Sequence, residues 1–90
     1  MNEITLNCDD FSNIKELHLH LKTKLKLPEY YGENLDALWD CLTGWIDMPT
    51  TIVWQGYDNS SEKIGDYAER LLRLFQEADR VIEGFKFIKC

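Results

Sequence analysis

Three short strand patterns, kept apart by segments of helical period, constrain this chain more than any other feature. Glu3-Ile4-Thr5-Leu6-Asn7 and Phe85-Lys86-Phe87-Ile88-Lys89 alternate polar and apolar side chains. Thr50-Thr51-Ile52-Val53-Trp54 is β-branched and aromatic, bounded by Pro49 and Gly56. After the first strand, Ser12 or Asn13 offers an N-cap, with Glu16 in capping-box position after Asn13. Ile14, Leu17, Leu21 and Leu25 then fall at helical spacing, which predicts an amphipathic helix from Ile14 to about Lys26, ended by Pro28. Lys22, Lys24 and Lys26 suit the negative end of its dipole. Residues 27–33 have no period and read as a loop, and Asn34 can cap a second helix from Leu35 to about Trp45. Beyond the middle strand, Tyr57 to Lys63 is ambiguous between loop and short helix. Asp66 can cap a last helix from Tyr67 to about Arg80, with Tyr67, Leu71, Leu74, Phe75 and Ala78 on its apolar face, before Gly84 breaks the chain. The order β-α-α-β-α-α-β predicts an α/β fold, a three-stranded parallel sheet covered by helices, because parallel neighbours need crossover connections.

Ninety residues suit one domain, residues 1–90, and eleven aromatic residues in a chain that is 44% hydrophobic supply a core. No apolar run approaches the ~20 residues that cross a bilayer, and the N-terminus shows no signal-peptide pattern. Cys8, Cys41 and Cys90 are too few and too widely spaced for a disulfide framework or a zinc site, which suits a reducing cytoplasm. No metal or cofactor is expected.

The formal net charge of −6 is unevenly distributed. Between Lys26 and Lys63 there is no Lys or Arg, but Glu29, Glu33, Asp36, Asp40, Asp47, Asp58 and Glu62 are all acidic. The rest of the chain, with ten bases against nine acids, is nearly neutral. So acidic a segment argues against nucleic acid as a partner, since phosphate binding needs a basic patch. Any charged partner should be basic.

On a wheel at ~100° per residue, Leu35, Leu38, Leu42, Trp45 and Ile46 form the stripe that must face a core. Asp36, Asp40, Thr43, Gly44 and Asp47 fall on the opposite side, with Trp39 at the seam. Asp36 sits in the first turn, where the dipole favours an acid. Asp40 has no such reason, and like charges at i, i+4 repel by a few tenths of a kcal/mol. With Tyr30 and Tyr31 in the preceding loop, the residues fit either a solvated acidic face or a protein-binding patch rimmed by aromatics.

The run Leu27-Pro28-Glu29-Tyr30-Tyr31-Gly32-Glu33-Asn34-Leu35-Asp36-Ala37-Leu38-Trp39-Asp40-Cys41-Leu42-Thr43-Gly44-Trp45 closely resembles the barstar family of intracellular inhibitors of barnase-type ribonucleases. A looser likeness extends over the leucine-rich first helix, the Trp54 strand and Phe75-Gln76-Glu77-Ala78. The resemblance implies a three-stranded parallel sheet with about four helices. It also implies a mechanism in which the second helix and its preceding loop plug the ribonuclease cleft of a one-to-one complex. Carried over, Asp40 occupies the phosphate subsite and binds catalytic arginines and a histidine. Asp36 pairs with guanidinium groups, and Tyr30 stacks on the catalytic histidine. Tyr31, Asn34, Trp39, Thr43, Gly44 and Trp45 complete the contact, although periodicity alone assigns Trp45 to the core. Asp47 and Glu77 face the enzyme's basic rim. Asp47 stands where the family pattern has Glu, and Arg80-Val81 lacks an acid expected there.

Other chemistry is poorly supported. Two carboxylates one turn apart on a convex helix do not flank a cleft as glycosidase acids must, and no glycine-rich phosphate loop is present. His18 and His20 lie about 200° apart on the first helix, so they cannot share a metal; His18 reads as a satisfied, partly buried histidine. The nearest rival is an acidic nucleic-acid mimic that blocks a different nuclease or nucleic-acid-binding protein. A single short acidic helix fits a narrow active-site plug better.

Overall fold

A computed structural model describes residues 2–90. β1 (Asn2–Asn7) leads through a 3₁₀ turn at Cys8–Asp10 into α1 (Ile14–Leu25), and α2 (Leu35–Gly44) precedes β2 (Thr50–Gln55). Then come α3 (Tyr57–Ile64), α4 (Asp66–Val81) and β3 (Phe85–Lys89). All strands are parallel, in the order β1-β2-β3. The register sets Ile4 beside Ile52 and Ile52 beside Phe87, and Leu6 beside Trp54. The expected topology is therefore present, with four α-helices among the described residues.

The helices cover one face of the sheet. Ile4, Leu6, Ile52, Trp54, Phe85 and Phe87 belong to the core, whereas Glu3, Thr5, Lys86 and Ile88 on the other face are exposed. Parallel strands covered on both faces read as continuous apolar runs. With one face open, the outer strands keep the alternation visible in the sequence. The core centres on Trp54, whose ring meets Tyr57 and Phe75 edge-on at 5.0 and 6.3 Å between centroids. Its indole N–H donates to Ser60 Oγ (3.0 Å), and that hydroxyl donates to Gly56 O (3.0 Å), so both buried polar groups are satisfied.

One ambiguous segment is decided, and one helix start differs from expectation. Tyr57–Ile64 is helical although its sequence is ambiguous, because Gly56 at φ +75° supplies the turn out of β2. A Cβ at Gly56 would lie 2.5 Å from Cys8 Sγ, so glycine is required there for space as well. Asp66 is the first residue of α4 rather than its cap. Gly65, at φ +62°, both ends α3 and starts α4, and its carbonyl takes the Ala68 N–H (3.0 Å). Asp66 still suits the positive end of the dipole. At α1, Asn13 caps Glu16 N (2.8 Å), while the Glu16 carboxylate reaches back to Ser12 N (2.8 Å), one residue earlier than in a standard capping box.

Candidate functional site

The loop of residues 26–34 and helix α2 form the site. Asn34 starts the helix: its Oδ1 accepts from Ala37 N (2.8 Å), and its Nδ2 donates to Gly32 O (3.2 Å). Leu38, Cys41 and Leu42 are buried beneath α2, with Leu35 and Ala37 partly buried beside them. Asp36, Asp40, Thr43 and Gly44 face out, and Trp39 lies half-buried at the seam, as the wheel predicts. Asp36 and Asp40 have no ion pair or side-chain hydrogen bond among the described residues. Two carboxylates therefore stand one turn apart in water, unneutralised, on a helix anchored rigidly from below.

Gly44 has the same character. A Cβ there would meet nothing within 4 Å, and its φ is not positive. Neither packing nor backbone geometry requires glycine, and alanine would favour the helix by roughly 0.5–1 kcal/mol. A bare backbone at this place leaves room for close approach from outside. The Thr43 hydroxyl turns back onto Trp39 O (3.0 Å) and Asp40 O (3.1 Å).

The aromatic residues separate. Tyr30 is 81% exposed, beside Trp45 at 6.3 Å with the rings near perpendicular. Trp45, expected in the core stripe, is 49% exposed. The helix ends at Gly44, so the wheel no longer applies, and the Trp45 indole N–H instead donates to Lys26 O at the end of α1 (3.1 Å). Tyr31, expected at the contact surface, is buried at 5% exposure. Its hydroxyl lies 2.6 Å from His18 Nδ1, and the Tyr67 hydroxyl lies 2.7 Å from His18 Nε2. The polar end of Tyr31 thus finds a partner inside, which is what makes its burial affordable. Asn34 is exposed, but its amide is already engaged in capping.

Asp47 is exposed, and its backbone carbonyl accepts from the Thr50 hydroxyl (2.6 Å). Glu77 is exposed on α4 but paired with Arg80 at 2.6 Å, so its charge is offset within the chain. Asp10 lies 3.3 Å from His20 Nε2, outside hydrogen-bonding geometry. Among the described residues no cluster of His, Cys, Asp and Glu is arranged to hold a metal ion, and the cysteines are free. Burial, with Asp40 nearby, pushes the Cys41 thiol above its usual range, so it is a poor nucleophile.

Fully buried His18 has its pKa lowered by desolvation, with Glu33 partly opposing. Folding therefore favours the neutral ring. Its contribution to stability is complete above the unfolded-state pKa near 6.5 and falls as the pH drops below that value, by up to about 1.4 kcal/mol per pH unit. Urea midpoints at pH 7.5 and 5.5 should show a steeper loss in the parent than in His18→Phe. Equal losses would remove His18 as the cause.

The model of the family described as Barstar (barnase inhibitor) matches residues 1–88. The chain is also 48% identical over 89 residues to a protein of Bacillus subtilis (strain 168) named "Putative ribonuclease inhibitor YrdF", with 98% of each chain covered.

Proposed function

Because the chain belongs to the barstar family, and is thus a ribonuclease inhibitor rather than an enzyme, we propose that it plugs the basic active site of a barnase-type ribonuclease with α2 and the loop before it. The observation that carries this reading is the unneutralised carboxylate pair Asp36 and Asp40, exposed on one helix face in a segment without a single Lys or Arg. A ribonuclease cleft is basic because it binds a polyanion. Carboxylates on a rigid helix imitate phosphates without being cleavable, and arginine grips both with the same fork. Asp40 takes the phosphate position against arginines and a histidine, and Asp36 takes guanidinium groups beside it. Tyr30 stacks on the catalytic histidine, with Trp39, Thr43, Gly44 and Trp45 filling the surrounding contact. Asp47 reaches the rim, and Glu77 joins it only by releasing Arg80.

In this reading a single domain, monomeric when free, acts in the cytoplasm as an immunity-type protein. It binds one-to-one with a secreted or toxin-type ribonuclease. Mixing it with a barnase-type ribonuclease should abolish RNA cleavage at one equivalent. The absence of a complex at micromolar concentration would overturn the proposal. Charge attraction should also make encounter salt-sensitive, with association slowing about 10- to 100-fold between low and high ionic strength. An association rate indifferent to salt would remove steering from the mechanism.

A further inference from the structure

The loop that presents Tyr30 begins and ends in strained backbone. Lys26 and Glu33, both at φ +54°, are the two described non-glycine residues in the left-handed region. Such residues persist only where their surroundings over-determine them. At the Lys26 end, the Leu27 N–H bonds Lys22 O (3.0 Å), and the Trp45 indole holds Lys26 O. Between the two, the series Tyr31–His18–Tyr67, buried at Tyr31 and His18 and partly buried at Tyr67, joins the loop to α1 and α4. A neutral imidazole has one donor and one acceptor nitrogen, so it donates to one tyrosine and accepts from the other. Both hydroxyls find their partner in the same ring. Tyr31 is fixed inward at 5% exposure, and its neighbour Tyr30 is thereby turned outward at 81%.

We propose that His18 is a positioning residue for inhibition: by bridging Tyr31 to Tyr67 it holds the loop in the arrangement that binds the ribonuclease. This rests on the reading of loop and α2 as the inhibitory surface. His18 touches no partner itself; it reduces the ordering that binding would otherwise require of the loop. Tyr67 acts at one remove, as the anchor on α4.

The test compares the parent with His18→Phe, Tyr31→Phe, the double variant and Tyr67→Phe, at a temperature where circular dichroism shows each folded. Two quantities are read: dissociation of the complex with a barnase-type ribonuclease, and amide hydrogen exchange of residues 29–34 in the free protein. His18→Phe removes both ring hydrogen bonds, of which only the one to Tyr31 holds the loop directly. It should speed dissociation about tenfold, about the effect of that one lost buried hydrogen bond, and raise exchange in the loop. Tyr31→Phe should act similarly, and the double variant should be no worse than the worse single one, since both remove the same link. Tyr67→Phe leaves the Tyr31–His18 bond in place and loosens only its anchor, so it should speed dissociation less, about threefold, the low end of what one hydrogen bond contributes. A lower melting temperature with unchanged dissociation and unchanged loop exchange would reduce His18 to a packing residue and overturn the proposal, as would fully additive effects of His18→Phe and Tyr31→Phe. If the parent itself fails to bind, the inhibitory reading falls. The exchange measurement then still decides whether His18 orders the loop.

Discussion

Asp40→Ala is expected to weaken the complex with a barnase-type ribonuclease by about a hundredfold to a few thousandfold and to leave the free protein folded. The two halves of this expectation have separate causes. In the free chain Asp40 is exposed, mid-helix and without a partner, so nothing in the fold depends on its carboxylate. Removing it relieves the repulsion from Asp36 one turn away, worth a few tenths of a kcal/mol, and alanine is the better helix former. The urea midpoint should therefore hold or rise slightly. In the complex, the same carboxylate neutralises the guanidinium groups of a desolvated cleft. Deleting one side of a buried, hydrogen-bonded charge pair leaves the other side uncompensated, at about 3–5 kcal/mol. Inhibition titrations and a urea melt on the same preparation separate the two effects. A variant that inhibits as well as the parent would end the phosphate-mimic mechanism, and a large drop in midpoint would return Asp40 to a structural role.

The acidic face of α2 was legible because it lies within a regular helix with a strong cap at Asn34, where a 3.6-residue period dictates which side meets the core. Past Gly44 that period stops, and Trp45 turns to Lys26 O instead of inward. Tyr30 and Tyr31 show the same limit more sharply. They are adjacent and identical in type, in a loop without periodicity, so local sequence cannot say which enters the core. The choice is made by His18, thirteen residues upstream, and that pairing exists only in three dimensions. The start of α4 escaped for a related reason: Gly65 uses positive φ where a side-chain cap would otherwise announce the helix. The intramolecular Glu77–Arg80 pair sits at i, i+3, a spacing open to reading in advance, and it tempers the acidic contact assigned to Glu77.

Trp54→Ala should weaken inhibition, as Asp40→Ala does, but by a different route. Trp54 has no exposed surface, lies on the central strand and packs edge-on against Tyr57 and Phe75. Its loss removes the largest fully buried side chain of the core and leaves Ser60 Oγ without the indole N–H that it accepts. Truncations of this kind cost about 3–5 kcal/mol, against a total stability of about 5–15 kcal/mol for a native domain. A ninety-residue chain with helices on only one face of its sheet has little surplus, so the variant should be partly unfolded at 37 °C. Ligand binding stabilises whatever fold remains by mass action. Excess ribonuclease should therefore restore native circular dichroism in Trp54→Ala, while it restores nothing in Asp40→Ala, whose fold was never lost. If Trp54→Ala melts within a few degrees of the parent, the core does not depend on this ring as its burial implies. If ribonuclease fails to refold it, the loss of inhibition has a cause other than the population of the folded state.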